Sequence, residues 1–181
     1  MRIAVSILAA ALALDGASAD TPEKVSVCAL RSNPASYDHK LIEVSGVVSH
    51  EFEQFIIDDS RCVESELVHV WLEYGGKTSS GTIYCCPGSG VRTRPEPAVV
   101  EGIAIPLIED APFKRFDARI QGKKRVSFRA TLIGRFFAGN RERFENAKLW
   151  PGYGHFGCCT LLLIPQVLAA GVVSMTAGDE R

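Results

Sequence analysis

The segment 110–139, DAPFKRFDARIQGKKRVSFRATLIGRFFAG, predicts one helix that leads directly into one long strand. Asp110 can cap the helix, Pro112 suits its first turn, and Gly122 ends it. The apolar positions of the helix share one face: Phe113, Phe116 and Ile120. The strand that follows alternates in polarity, which is typical of a strand with one buried face. Its apolar positions are Val126, Phe128, Ala130 and Leu132, and its polar positions are Ser127, Arg129 and Thr131.

Three further strands are predicted before this segment and one after it. KLIEVSGVVSHEF (40–52) alternates around Gly46, which indicates a bend in the strand. EQFIIDD (53–59) and LVHVWLEYGG (67–76) predict the second and third strands. CCTLLLIPQVL (158–168) predicts the last strand, in which Pro165 indicates an edge or a strand end. The stretch 75–105 is rich in Gly, Ser and Pro and predicts a long surface insertion.

A short N-terminal helix is predicted in SVCALRSNPASYDHK (26–40), capped by Ser26 and closed at Asn33-Pro34. The complete order is helix, three strands, helix and two strands. This order favours a mainly β fold, an OB-fold-like five-stranded Greek-key barrel with one helix between strands 3 and 4. A small β-sandwich is the alternative, and the single helix in that position argues against it. We expect residues 20–181 to form one such domain.

The first nineteen residues have the pattern of a secretory signal. MRIAVSILAAALALDGASAD starts with one basic residue, continues with an apolar run and ends in small residues, so residues 1–19 are expected to be removed. The run is shorter than the roughly 20 residues that a membrane span needs, so no anchor is expected after cleavage. The mature chain is therefore expected in the periplasm or outside the cell. A net charge of -1 gives it no general attraction to nucleic acid, and no nucleic-acid partner is expected.

The six cysteines form an even set, which in an exported chain predicts disulfide staples. They are Cys28, Cys62, Cys85, Cys86, Cys158 and Cys159. The preferred arrangement pairs Cys28 with Cys62 and joins the 85/86 doublet to the 158/159 doublet. A metal- or thiol-linked envelope protein that uses the doublets and His155 is the alternative. Structural zinc sites usually space their cysteines by about two to four residues, so no metal ligand and no cofactor is assigned.

Candidate binding residues cluster in GNRERFENAKLWPGYGHFG (139–157), the loop between strands four and five. OB-folds use this loop and the second and third strands to bind ligands. Cations beside aromatic rings can hold an anion, a sugar face or a base. The loop candidates are Arg141, Arg143, Lys148, Trp150, Tyr153 and His155, and the third-strand candidates are His69 and Trp71. Alternatively, Trp150 and Tyr153 cover the open end of the barrel, and the face of His69, Trp71 and Glu73 is an ordinary solvated side.

The usual enzyme signatures are absent from the sequence: it has no G-x-S-x-G, no phosphate loop and no H-E-x-x-H. A small secreted hydrolase on an OB-like barrel is a second alternative, because clustered carboxylates with an arginine could form a nuclease-like site. The residues that such a site would use are Glu51, Glu53, Asp58, Asp59 and Arg129.

Three segments together resemble a family of bacterial exported OB-fold-like proteins with no assigned activity. They are NPASYDHKLIEVSGVVSHEFEQFIIDDSRC (33–62), RATLIGRFFAG (129–139) and GYGHFG (152–157). The resemblance implies an OB-like fold and no particular activity. The sequence as a whole predicts an exported, non-enzymatic binding module whose partner is a small molecule or another envelope protein.

Overall fold

A computed structural model describes residues 21–51, 54–62, 68–81, 92–122, 125–139 and 152–171. In these residues the chain forms eight strands and two α-helices. In chain order they are β1 (Glu23–Ser26), α1 (Val27–Ser32), β2 (Leu41–Glu51), β3 (Gln54–Asp58), β4 (Val70–Tyr74), β5 (Val99–Val100), β6 (Ile103–Ala104), α2 (Ala111–Gly122), β7 (Val126–Phe137) and β8 (Thr160–Ala170). Two 3-10 turns, Pro34–Tyr37 and His155–Gly157, precede β2 and β8.

Five strands close into a barrel. Their order is β2-β3-β4-β8-β7, and β7 pairs back with β2. The β4–β8 pair is parallel, and the other four pairs of the barrel are antiparallel. The prediction of a mainly β fold with a five-stranded barrel is confirmed. The predicted helix between the third and fourth barrel strands in chain order is also confirmed, since α2 lies between β4 and β7. The insertion after β4 contains the small β5–β6 hairpin, which was not predicted.

Strand β2 changes its partner on one edge at Gly46. Residues 42–45 pair in parallel with β1, and residues 47–51 pair with β3. A Cβ atom at Gly46 would lie 2.7 Å from the Asp58 carbonyl oxygen and 2.7 Å from Ile57 Cγ1. Only glycine therefore fits where the backbones of β2 and β3 approach so closely, which gives the irregularity predicted at this position a physical cause.

Helix α1 is fastened to the turn after β3. Ser26 caps the helix, since its Oγ accepts a 3.1 Å hydrogen bond from the Ala29 amide. A disulfide joins Cys28 to Cys62, as predicted, and Arg31 pairs with Asp58 at 2.7 Å. The covalent bond and the ion pair together hold α1 against the barrel.

Helix α2 packs its predicted apolar face onto the barrel. Asp110 Oδ1 accepts a 3.0 Å bond from the Phe113 amide, which caps the helix as predicted. All three residues of the stripe are buried: Phe113, Phe116 and Ile120. The Phe116 ring contacts one aromatic ring from each of β3, β4 and β7: Phe55, Tyr74 and Phe128. The helix thereby covers the apolar interior of the barrel.

Pro165 lies inside β8 and does not end the strand. The β4–β8 pairing stops at Tyr74 and Ile164, so the missing N–H of Pro165 interrupts no bond to β4. The β7–β8 register shifts between Ile133 and Arg135, which lie opposite the part of β8 that contains Pro165. The Pro165 carbonyl instead accepts a 2.8 Å bond from the Ile108 amide.

Candidate functional site

Strand β4 is buried on both faces. All five of its residues are buried. On the outer face, the insertion after β4 covers Glu73 and the backbone at Gly154 covers Trp71. Trp71 is 1% exposed and Glu73 is 3% exposed, so the interpretation of their face as an ordinary solvated side is wrong for both residues. His69, just before the strand, is partly exposed, and its Nδ1 lies 3.9 Å from Asp58 Oδ2.

Glu73 forms a buried ion pair with Arg94 of the insertion. Its Oε1 accepts a 2.5 Å bond from Arg94 Nη2, a 3.2 Å bond from Ser80 Oγ and a 2.8 Å bond from the Tyr74 amide. Arg94 is 7% exposed, and its Nη1 donates to the carbonyls of Tyr74 and Gly76. Within the described part of the chain, Glu73 Oε2 and Arg94 Nε have no hydrogen-bond partner.

Burial opposes the ionisation of Glu73. Burial raises the pKa of Glu73 to about 7, although the Arg94 guanidinium and the hydrogen bonds to Oε1 oppose this rise. A carboxyl group whose pKa is shifted this far by burial, and which also lies beside a cavity, marks a candidate functional site.

A cavity of about 310 Å³ lies beside this ion pair. Its apolar walls are Pro95, Pro97, Ala98, Val99 and Val100, and its polar lining is Glu73, Arg94 and Glu96. Ligand pockets typically combine apolar walls with a few placed polar groups in volumes of about 300–1,000 Å³. The cavity is thus large enough for a small molecule, and both residues of the buried ion pair belong to its lining.

The hairpin that borders the cavity is fastened to the barrel by its turn. The turn residues Glu101 and Gly102 have φ values of 49° and 78°, as the two-residue hairpin turn with left-handed central residues requires. Glu101 bonds to His39 Nε2 at 2.6 Å and accepts a hydrogen bond from the Tyr153 hydroxyl. The Tyr153 bond, with a smaller contribution from His39, lowers the pKa of Glu101. Tyr153, predicted as a binding residue, therefore holds in place the hairpin whose first strand lines the cavity.

Trp71 supports the segment that carries Tyr153. Gly154 has a φ of 74°, and a Cβ atom there would lie 2.8 Å from Trp71 Cδ2. The indole is thus covered by backbone and does not line the cavity, although it was a candidate binding residue. His155 begins the 3-10 turn next to Gly154 and is partly exposed.

Several predicted residues lie outside the described part of the chain: Arg141, Arg143, Lys148, Trp150, Cys85, Cys86, Glu53 and the signal segment 1–19. The carboxylates of the hydrolase alternative that are described each pair with a different arginine. Asp58 pairs with Arg31, Asp59 with Arg61, and Glu51 with Arg125. The hydrogen bond from Arg61 lowers the pKa of Asp59 to about 2.

The two described disulfides correct the predicted pairing. Cys158 is bonded to Cys159, with a Cα–Cα distance of 3.7 Å. Since a sulfur atom forms one disulfide bond, the predicted pairing of this doublet with Cys85 and Cys86 is wrong. Both cysteines lie in the irregular segment between the 3-10 turn and β8. Reciprocal backbone hydrogen bonds between Tyr153 and Cys159 hold this segment in place. In this bonded form neither sulfur is a thiolate, the state in which cysteine binds metal.

No protein-family model, curated protein or solved structure matches this chain. Across the described ranges, no three His, Cys, Asp or Glu side chains are grouped so that they could hold a metal ion. No helix in the same ranges has the length and apolar character to cross a membrane. The candidate functional site of the described residues therefore consists of the ion pair, the cavity and the residues that position them.

Proposed function

We propose that this protein is an exported, non-enzymatic binding module with an OB-fold-like Greek-key barrel, and that it holds a small molecule in the cavity beside Glu73 and Arg94. The closed barrel, with α2 between its third and fourth strands and a parallel pairing of β4 with β8, supports the OB-fold part of the proposal.

One observation carries the binding proposal: a cavity with mainly apolar walls lies beside the buried ion pair of Glu73 and Arg94. The apolar walls would bury the apolar part of a ligand, and the few polar groups of the lining would orient it. A buried carboxyl group whose pKa is shifted by burial and that lies beside a cavity is typical of a functional site.

The location is proposed on two grounds. The N-terminal segment has the order of a secretory signal, and the Cys28–Cys62 disulfide is a bond that persists in oxidising compartments. Both favour the periplasm or the extracellular space.

Ligand-observed NMR screening of a fragment library against the exported protein tests the proposal. We expect a subset of fragments to bind the wild type and to lose binding in Ala98→Leu, which adds bulk to the cavity wall. Ala169→Leu is the matched control, because it makes the same change at an exposed position of β8 away from the cavity. Fragments that bind Ala98→Leu as well as they bind the control would contradict the proposal.

A thiol-linked role is a second candidate, favoured by the bond between Cys158 and Cys159. A bond between sequence neighbours closes almost no loop, so stabilisation of the fold does not account for it. Thiol labelling and mass spectrometry after equilibration in graded glutathione buffers tests this role. We expect the 158–159 bond to be reduced under conditions in which Cys28–Cys62 stays intact; reduction of both bonds together would contradict it.

A further inference from the structure

We infer that the Cys158–Cys159 disulfide oxidises dithiols, that the incoming thiolate attacks Cys158, and that His69 stabilises the Cys159 thiolate that leaves. This inference rests on the thiol-linked role proposed as the second candidate function. It adds the reaction, the attacked residue and the residue that assists.

His69 and Cys159 occupy neighbouring positions just before β4 and β8. The parallel register pairs Val70 with Thr160, so the residues that precede them lie side by side. The pairing continues to this point, since the Thr160 amide donates a 3.1 Å hydrogen bond to the His69 carbonyl and Cys159 forms an antiparallel bridge with Tyr153. Val70 belongs to the barrel core, and successive side chains of a strand point to opposite faces, so His69 and Cys159 share the outer face.

Asp58 lies on the other side of His69. The antiparallel register of β3 and β4 pairs Ile57 with Val70, so Asp58 is opposite His69. Its Oδ2 is 3.9 Å from His69 Nδ1, which is an ion-pair distance when the imidazole is protonated. The outer face thus carries a carboxylate, an imidazole and a sulfur in one row, Asp58–His69–Cys159. Neighbouring strands lie about 4.8 Å apart, so an imidazolium at His69 and a thiolate at Cys159 would interact as charges.

The two cysteines differ in access to solvent. Cys159 is 4% exposed, whereas Cys158 is partly exposed. Thiol–disulfide exchange depends on access to the attacked sulfur, so the incoming thiolate attacks Cys158. The bond between the two sulfurs breaks, a mixed disulfide forms at Cys158, and Cys159 leaves as a thiolate next to His69.

The second thiol of the donor completes the reaction. As a thiolate it attacks the donor sulfur of the mixed disulfide and releases Cys158. The dithiol thereby loses two electrons and two protons and becomes a disulfide, and the two cysteines gain them and become thiols. A thiol of lower pKa leaves faster, and a nearby imidazolium lowers the pKa of a thiol, so His69 assists the first step.

Other charged groups border this row. His155 lies in the 3-10 turn, and its carbonyl accepts a 3.4 Å hydrogen bond from the Cys158 amide. Among these groups, histidine is the side chain that ordinarily changes charge between about pH 5 and pH 8, so variants of His69 and His155 separate their effects. The remaining charged residues, which pair with Asp58 or lie around its neighbour in the chain, are Arg31, Asp59, Arg61 and Arg129.

The pH dependence of reduction by dithiothreitol tests the role of His69. Mass spectrometry follows reduction of the 158–159 bond, and each rate is divided by the thiolate fraction of the reagent at that pH. A leaving thiol whose pKa is lower by about one unit leaves about threefold faster at a Brønsted dependence of about 0.5. We therefore expect the wild type to react at least about threefold faster than His69→Gln at about pH 5.5, and at the same rate at about pH 8, where an ordinary imidazole is neutral.

His155→Gln is the matched control, because it makes the same change at the other histidine near the disulfide. We expect it to react like the wild type at both pH values. Equal rates of the wild type and His69→Gln at about pH 5.5 would overturn the inference, and so would a loss of rate in His155→Gln that is absent from His69→Gln.

His69→Lys separates the charge of His69 from a merely structural role. Lysine stays protonated across this pH range, so we expect His69→Lys to keep its advantage over His69→Gln at about pH 8 as well as at about pH 5.5. A His69→Lys variant that reacts as slowly as His69→Gln at both pH values would show that the charge at this position has no role, and would overturn the inference.

Single-cysteine variants test which cysteine is attacked. The sulfur that forms the mixed disulfide is the same in both directions of the exchange, so the reduced variants are mixed with glutathione disulfide at about pH 8. We expect Cys159→Ser, which keeps Cys158, to form its mixed disulfide several-fold faster than Cys158→Ser. Equal rates, or a faster reaction of Cys158→Ser, would overturn the assignment of the attacked residue.

The proposed thiol-linked role fails separately from this inference. If both described disulfides are reduced together in the graded glutathione buffers, the thiol-linked role itself is contradicted. If the 158–159 bond is reduced selectively and its rate does not depend on His69, the thiol-linked role stands and the inference is overturned.

Discussion

Removal of the Cys28–Cys62 disulfide gives a stability loss that can be calculated from the chain. The bond spans a sequence separation of 34 residues. In the loop-entropy treatment, closing such a loop removes about 13 cal/mol/K from the unfolded chain, or about 4 kcal/mol at 25 °C. We therefore expect the double variant Cys28→Ala/Cys62→Ala to unfold about 4 kcal/mol more easily. For a domain of this size the melting temperature should fall by about 8–16 °C.

The second described disulfide supplies the matched control. Cys158 and Cys159 are neighbours with a sequence separation of 1, so their bond restricts the unfolded chain very little. The double variant Cys158→Ala/Cys159→Ala removes the same number of sulfur atoms. We expect it to lose less than about 1 kcal/mol by the same relation.

Urea unfolding of the oxidised proteins, followed by circular dichroism, measures both losses. The linear dependence of the unfolding free energy on urea concentration gives each value, and equal slopes show that the variants unfold by the same transition. Equal losses in the two double variants, or a loss under about 1 kcal/mol for Cys28→Ala/Cys62→Ala, would refute the reasoning.

Three further predictions concern buried groups. Replacing either Glu73 or Arg94 alone by Met should cost about 3–5 kcal/mol in urea unfolding, whereas replacing both should cost less than the sum of the two single losses, because no unpaired charge then stays buried; losses that simply add would contradict this. Burial lowers the pKa of His50, whose ring nitrogens have no partner in the described residues, so the native state keeps the ring neutral. Its unfolded pKa is 6.5, so wild-type stability should fall relative to His50→Gln as the pH drops below 6.5 towards the lowered folded value; parallel stability curves between pH 7 and pH 5 would contradict the assignment. Gly154→Ala should destabilise the protein by about 1–3 kcal/mol, because its Cβ atom meets the buried indole. Gly81→Ala is the control, with a φ of 94° and nothing within 4 Å; equal melting temperatures for the two variants would contradict the packing argument.

The barrel could be predicted because the alternating sequence of its longest strands shows which residues are buried. Strand β2 and strand β7 alternate over eleven and twelve residues, and α2 carries its stripe at helical spacing. The β1 strand has four residues, and β5 and β6 have two each, which is too short for any periodicity. Their pairing depends on neighbours that lie far away in the sequence.

The candidate site could be predicted only in part. Tyr153 was a candidate, but its contact with Glu101 joins residues 52 positions apart. Glu73 and Arg94 were missed as a pair for the same reason, since burial of β4 on its second face depends on how the insertion folds back. One local signal was present: Glu73 is the single charged residue in the apolar run VWLEY, which fits a buried charge that has a partner elsewhere.

The partner change of β2 at Gly46 has a consequence for how the barrel opens. One edge of β2 pairs with β7 from Leu41 to His50, while the other edge is divided between β1 and β3. Its backbone groups are therefore bonded to three different strands, and detachment of any one strand frees only a part of them. Amide protons of β2 that bond to β7 should exchange with deuterium much more slowly than those of the two-residue β5 and β6, which exchange through local fluctuations.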